Sequence, residues 1–336
     1  MMLNLDVMPE TPKMTDKEQT ALSSELISEL LTGMRLRGVQ YRRIQTGPSF
    51  GLGFDDRPGH AYFHYLAAGT AFLRTNDGAL HQLTAGNAVF MPQGGAHQLL
   101  SDPRAVFQPI DNFATAPLGE AVSGVDTCPS THPIPSAVLF YGCMAFDFGG
   151  MHRLGKLMPQ VIVANTDQPR YPGLVSILYA MKSEICSGRI GFAGILARLA
   201  EVAAAMMVRG WVECGCESAS GLFAALRDPR LARAILAIHR QPGKEWTVAE
   251  LAAESHVSRS VFADRFKTTI GVPPLRYATE FRMRLASQWL SQDKLSIDTV
   301  AQRLGYTSQA AFSRAFKRIN GQPPGASRSG VMKNTP

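Results

Sequence analysis

The order of apolar and polar positions divides the chain into an N-terminal helical stretch, a strand-rich middle and a helical remainder. Residues 1–14 carry no period and read as disordered. Thr15-Asp-Lys-Glu18 has the form of a capping box, and Leu22, Leu26, Ile27, Leu30 and Leu31 then recur at helical spacing up to Gly33. From Val39 to about Asn165 short apolar runs alternate with Gly, Pro, Asn and Asp. This pattern predicts strands over Tyr62–Leu66, Ala71–Thr75, Leu80–Leu83, Ala88–Met91, His97–Leu100, Val138–Phe148 and Val161–Ala164. Thr75-Asn-Asp-Gly78 predicts a hairpin turn, because Asn/Asp-Gly accepts positive φ at low cost. The Pro-, Ser- and Thr-rich segment from Ala114 to Pro135 reads as a surface loop. Short strands at this spacing suggest a β-barrel or jelly roll.

Helical spacing returns at Leu174, Ile177, Leu178 and Met181, and again at Ile195, Leu199, Val202, Ala203 and Met206. Two such helices after a barrel cover it, pair two subunits, or do both. Glu213–Gly221 is the best linker candidate. The last third predicts helices from Pro229 to about Pro242-Gly243, over Val248–Ser255, from Ser258 to Gly271, over Leu275–Leu290, over Ile297–Leu304 and over Ser308–Ile319.

Within that third a segment is repeated. Ser258-Arg-Ser-Val-Phe-Ala-Asp-Arg-Phe-Lys-Thr-Thr-Ile-Gly-Val-Pro-Pro274 is echoed by Ser308-Gln-Ala-Ala-Phe-Ser-Arg-Ala-Phe-Lys-Arg-Ile-Asn-Gly-Gln-Pro-Pro324, an offset of 50 residues. Each copy is a short helix, a tight turn and a Ser-capped helix, which is helix-turn-helix grammar. Phe262 and Phe266, like Phe312 and Phe316, lie one turn apart and face inward. The opposite face then offers Arg259, Ser260, Ala263, Asp264 and Lys267 in the first copy, and Gln309, Ala310, Ser313, Arg314 and Lys317 in the second. Such a face fits the major groove of double-stranded DNA: Arg314 can donate to guanine, Asp264 can accept from cytosine, and Ala263 or Ala310 can touch a thymine methyl. Lys267, Lys317 and Arg318 suit phosphates.

Charge supports a polyanionic partner for this third. The net charge is +7, and from Leu226 onward 18 Lys and Arg stand against 8 Asp and Glu. The 336 residues, 45% of them hydrophobic, are enough for two globular domains. No apolar run approaches a membrane span, and the N-terminus lacks a basic start followed by an apolar core, so neither a membrane partner nor a signal peptide is expected. Five cysteines without framework spacing suit a cytoplasmic location.

From about Asp228 to Ser327 the chain resembles the AraC/XylS family of transcription regulators. The likeness rests on Leu251-Ala252, Arg282-Met-Arg-Leu-Ala286, Val300-Ala301, Gly305-Tyr-Thr-Ser308, Ala311-Phe312-Ser-Arg-Ala-Phe-Lys317 and Gly321-Gln-Pro-Pro324. His256 stands where the family usually has Gly in the first turn. The resemblance implies two helix-turn-helix motifs joined by one helix and set to enter adjacent grooves, with centres roughly 34 Å apart. It further implies a homodimer, RNA polymerase as a partner and transcription activation.

Gly86-Asn-Ala-Val-Phe-Met-Pro92-Gln-Gly94-Gly-Ala-His97 resembles the second cupin motif, with Ser101 in place of its usual closing Asn. The His-x-His and Glu ligands of the first cupin motif are absent; Asp56, Arg57, Pro58 and Tyr62 occupy that region. No metal and no cofactor is therefore expected. His64 and His97 are candidates for lining a small-molecule effector pocket. Cys128 and Cys143 are candidate redox thiols. Cys143 lies in a strand similar to one in cupin-bearing regulators, some of which sense oxidants, but no basic residue flanks it in sequence. Gly47-Pro-Ser-Phe-Gly51 matches a nucleophile elbow by letter only, since no strand leads into a helix there.

The fold class expected is α+β, with an N-terminal cupin-like β-barrel (jelly roll) and flanking helices, and a C-terminal all-α double helix-turn-helix. The expected boundaries are 1–14 disordered, 15–165 sensory, 166–212 helical dimerisation region, 213–226 linker, 227–328 DNA-binding and 329–336 tail. The function expected is an effector-responsive transcription regulator and not an enzyme. The alternatives are a metal-dependent cupin enzyme with a DNA-binding tail, and a thiol-based redox sensor.

Overall fold

The computed structural model describes residues 24–25, 28, 34–118, 122–128, 134–147, 158–165, 171–187, 189–213, 228–291 and 293–328. The chain divides into two compact units: residues 33–148 with 152–220, and residues 221–336 with 1–32 and 149–151. Most of the helix expected before Gly33, nearly all of the 213–226 linker with Cys214 and Cys216, and the 329–336 tail lie outside the described residues.

In the strand-rich unit the described strands are β1 (Arg35–Thr46), β2 (Gly51–Phe54), β3 (His60–Ala68), β4 (Thr70–Thr75), β5 (Leu80–Thr84), β6 (Ala88–Met91), β7 (His97–Leu100), β8 (Gln108–Pro109), β9 (Thr115–Pro117), β10 (Val122–Asp126), β11 (Ala137–Asp147) and β12 (Ile162–Ala164). They lie in two sheets rather than one closed ring. One has the order β12-β6-β3-β11-β1-β10-β9 and the other β5-β4-β7-β2-β8. Between them sits a core that includes Ile44, Leu52, Leu66, Leu73, Leu99 and Leu139. The Thr75–Gly78 hairpin forms as expected, with Gly78 at φ 85°.

The strands β1, β2, β8, β9 and β10 depart from the reading of the sequence. β1, rich in arginine, pairs antiparallel with β11 from Arg35↔Asp147 to Thr46↔Ala137 and parallel with β10. Its Arg42 is 4% exposed, a position that alternation alone assigns to an apolar side chain. The guanidinium is compensated there, donating to Ile110 O at 3.0 Å and to Asp111 Oδ1 at 2.5 Å. The segment from Ala114 to Pro135 is not all loop: it contains β9 and β10, which pair with each other.

Helices α1 (Leu174–Ser187) and α2 (Phe192–Glu213) follow in the same unit. α2 packs on α1, β12 and β1. α1 buries Leu174, Leu178, Met181 and Ile185. α2 buries Leu196, Ala200, Ala203, Ala204 and Met207, one position round the helix from the expected stripe. Ile195 and Val202 are consequently exposed. The buried side mixes Ala200, Ala203 and Ala204 with Leu196 and Met207, and alanines mark a core face less clearly in a sequence than Ile195 or Val202.

The helical unit contains α3 (Pro229–Arg240), α4 (Val248–Glu254), α5 (Arg259–Ile270), α6 (Pro274–Ser291), α7 (Ile297–Arg303), α8 (Gln309–Asn320) and α9 (Pro324–Arg328). Asp228 caps α3, accepting from Arg230 N, with Pro229 at the first helical position. Thr247 and Glu250 form a reciprocal capping box on α4. Ser308 accepts from Ala311 N at 3.2 Å. Ser258 does not match it: it occupies the cap position of α5, but its hydroxyl meets Ser260 Oγ at 3.5 Å and makes no cap bond.

That difference is measurable. Ser308→Ala is expected to cost about 1 kcal/mol of stability by loss of the cap. Ser258→Ala is expected to cost a few tenths. Chemical denaturation of the two variants, followed by helical circular dichroism, checks the order; equal losses would contradict the difference in capping.

Candidate functional site

Two surfaces gather the residues singled out in the sequence. The first is built on α5 and α8. Phe262 and Phe266 are buried beneath α5, and Phe312 and Phe316 beneath α8. The i, i+4 spacing fixes the phase of each helix, so the opposite side must face outward. Arg259, Ser260, Asp264 and Lys267 are exposed on α5, and Ala263 is half-buried. Gln309, Ala310, Arg314 and Lys317 are exposed on α8, and Ser313 is half-buried. Arg259, Ser260 and Ala263 line a shallow cleft with Val248.

The helix preceding each face is set by matching turn bonds. Val257 N donates to Ala252 O at 3.1 Å, and Tyr306 N to Ala301 O at 3.0 Å. The repeat slips by one residue here. His256-Val257-Ser258 has one residue fewer than Gly305-Tyr306-Thr307-Ser308, so the second turn is longer. His256 adopts the left-handed backbone expected of its position, at φ 53°.

α6 carries both helices. Tyr277, in its first half, meets Phe266 edge-on at 5.6 Å. Met283, Ala286 and Leu290, further along, share a core with Phe312 and Phe316. Arg265 pairs with Asp228, tying α5 to the start of α3.

The second surface is internal. His64 on β3 and His97 on β7 come from different sheets, and their Nε2 atoms meet at 2.8 Å across the core. His97 stacks on Phe54, with ring centroids 4.8 Å apart. Tyr62 and Tyr141 flank the pair. His97 Nδ1 lies 2.8 Å from Gly95 O, and a carbonyl only accepts, so Nδ1 carries the proton. In the neutral ring His97 Nε2 is then a lone pair, and His64 Nε2–H donates to it. His64 Nδ1 is left as a buried lone pair without a partner among the described residues.

Burial holds both rings neutral: it pushes His64 well below its ordinary pKa, with His97 adding to the effect, and His97 down to about 4. His97, Phe54, Gln98, Asn76, Phe107 and Pro109 line a cleft of about 170 Å³ at one end of this core. His97 is among the residues lining that cleft, and His64 is not.

The residues present do not fit a metal. The two imidazoles spend their facing nitrogens on each other, and among the described residues no three His, Cys, Asp or Glu side chains converge.

Cys143 is buried beside His64's strand, opposite Tyr62. Its sequence neighbours are not basic, but Arg57 reaches it in space and lowers its pKa. Burial is the larger effect and pushes the thiol up. Cys128 is half-exposed, and burial together with Asp126 raises its thiol as well. Both shifts run opposite to that of an activated thiol. Arg57 also joins Arg42 on the Asp111 carboxylate, at 3.2 Å. The sequence held no sign of this cluster, because its members are brought together only by non-local pairing.

Residues 25–213 match the family model described as Cupin, and residues 251–330 the one described as Helix-turn-helix domain. A protein described as an AraC-like transcription regulator from Streptomyces lividans is 34% identical over 187 residues, 56% of this chain and 62% of that protein. The chain belongs to the Cupin family over residues 25–213 and carries an AraC-type helix-turn-helix domain. This AraC-type chain is also similar to the HTH-type transcriptional regulator AlkR of Acinetobacter baylyi, 45% identical over 100 residues, 30% of the chain and 33% of that protein. The RCS-specific HTH-type transcriptional activator RclR of Escherichia coli is 34% identical over 131 residues, 39% of the chain and 46% of that protein. The chain thus spans less than two thirds of the length of these curated relatives.

The histidine pair gives this AraC-type chain an acid-sensitive core. The folded state holds both rings neutral, while the unfolded chain takes up protons near pH 6.5. Stability is therefore complete above that pH and falls as pH drops from about 6.5 towards 4, by up to about 1.4 kcal/mol per pH unit for each ring. Denaturant titrations at stepped pH are expected to show this loss, and His64→Leu/His97→Leu to flatten it; an unchanged slope in the double variant would count against the assignment.

Proposed function

We propose that this chain is an effector-responsive transcription regulator that binds double-stranded DNA through α5 and α8. The observation that carries the reading is the duplicated helix with its two phenylalanines hidden and its polar side exposed. The residues assigned to DNA are Arg259, Ser260, Ala263, Asp264 and Lys267 on α5, and Gln309, Ala310, Ser313, Arg314 and Lys317 on α8. Arg314 on one reader and Asp264 at the equivalent position on the other make the half-sites chemically different: a guanine suits the first and a cytosine the second. The surplus of cationic residues in this unit supports the same partner.

The cupin unit is assigned the sensory role. The effector is a small molecule entering the cleft at His97, whose ring is bonded to His64. A redox effector acting on Cys128 or Cys143 is less well supported, since both thiols are pushed above their ordinary pKa. The chain is assigned no enzymatic role and no metal.

Two copies are proposed to pair through α1 and α2. α2 carries a second apolar stripe beside its buried one: Ile195 and Val202 are each 45% exposed, and Tyr179 on α1 is 67% exposed. Such a face within one copy lacks cover. The proposed setting is the cytoplasm, with RNA polymerase as a partner and activation as the output; no described helix is long and apolar enough to cross a membrane.

The test is quantitative. Arg314→Ala is expected to weaken binding by about 1–3 kcal/mol and to relax the base preference at one position only. Lys317→Ala is expected to weaken all sequences alike and to lower the salt slope by about one. Binding titrations on duplexes selected from a random pool, repeated at several salt concentrations, separate the two; uniform loss in Arg314→Ala would remove it from base recognition.

A further inference from the structure

The two readers of the helical unit meet at a point other than α6. Gly243, in the loop between α3 and α4 of the first reader, lies against the turn between α7 and α8 of the second. A Cβ placed on Gly305 would sit 2.0 Å from Gly243 O, and one placed on Gly243 would sit 2.6 Å from Arg303 O and 3.5 Å from Gly305 N. The backbones are therefore in direct apposition, and the Gly305 hydrogen in the Cβ position points at the Gly243 carbonyl, a Cα–H···O arrangement.

The equivalent turn of the first reader makes no such demand. His256 holds the same left-handed conformation with a full side chain and is exposed. Left-handed backbone is thus common to both turns, and absence of a Cβ is required only where the second turn touches the first reader. A body held at one hinge can swing, whereas one held at two separated points cannot. α6 supplies one point and the Gly243–Gly305 contact the other.

We propose that the Gly243–Gly305 seam is a positioning element that fixes the distance and angle between α5 and α8, and so the spacing of half-sites the chain accepts. The proposal rests on the reading of α5 and α8 as DNA readers.

The test uses the full chain. Gly243→Val crowds the seam at a residue whose φ is not left-handed. Gly305→Asn crowds it from the other side with a residue that tolerates positive φ. Gly271→Asn is the control, because Gly271 has φ 82° and nothing within 4 Å of its Cβ position. Duplexes selected by the parent are compared with half-site duplexes and with full sites lengthened or shortened by one base pair.

In the parent a one-base-pair change is expected to lower affinity about 10-fold or more, the loss of linked binding. The seam variants are expected to lose about as much on the parent site, to keep half-site affinity within about 2-fold and to discriminate spacers poorly. Seam variants that behave as the parent or the control at every spacer, or that lose half and full sites alike, overturn the proposal.

Spin labels carried by non-native residues at positions 264 and 314 give a readout that needs no DNA. A narrow distance distribution in the parent that widens or shifts in Gly243→Val supports the seam, and an unchanged one overturns it. A parent that selects no duplex would sink the DNA reading alone and leave the label distances to decide the seam.

Discussion

Everything in the helical unit depends on α6 burying different residues along its length. Tyr277 and Phe281 serve α3 and α5, while Met283, Ala286 and Leu290 serve α7 and α8. One continuous hydrogen-bonded rod therefore belongs to two cores. Neither core can loosen without exposing part of the helix that the other needs, and the cost of burying a large aromatic or aliphatic side chain incompletely is of the order of 2 kcal/mol. The His239 ring adds to the first core by stacking on Phe281 at 4.2 Å and meeting Tyr277 Oη at 2.8 Å.

In the other unit an analogous constraint runs between sheets rather than along a helix. The core is aliphatic at one end and aromatic and polar at the other, where Phe54, Tyr62, Tyr141 and the two histidines cluster. A polar bond at such depth is strong because competing water is excluded, and it leaves its unmatched atom correspondingly exposed to penalty. His64 Nδ1 is that atom. The phenols nearby stay protonated, since burial raises Tyr62 and Tyr141 far above their ordinary values. Tyr62 Oη–H is spent on Asp55 O at 2.5 Å.

The amino-acid order disclosed the helical unit almost completely. Repetition at fixed distance, phenylalanines one turn apart and glycine-proline closures are local signals, and each survived unchanged. What it concealed was local chemistry overruled by context. Ser258 looks like Ser308 but makes no cap bond, and the turn before it is one residue shorter. β1 was invisible because its arginines break the alternation, and Ile110 O and Asp111, 68 and 69 residues from Arg42, make one of them tolerable inside. The histidine bond joins residues 33 apart on strands of separate sheets, and spacing alone gave no sign that they would meet. The stripe on α2 was displaced because its buried side combines Leu196 and Met207 with Ala200, Ala203 and Ala204, and alanines give a weaker apolar signal than Ile195 or Val202.

The long pairing of β1 with β11 also bears on how the chain acquires its structure. Residues 35–46 find their antiparallel partner only at 137–147, so a strand made early waits for one made about a hundred residues later. The parallel neighbour, β10, is nearly as distant. Contacts of such long range slow folding, while the helical unit closes mostly between neighbours in sequence. During synthesis an arginine-rich strand thus emerges well before either of its partners. Its positive charges disfavour pairing between nascent copies until the proper mate arrives.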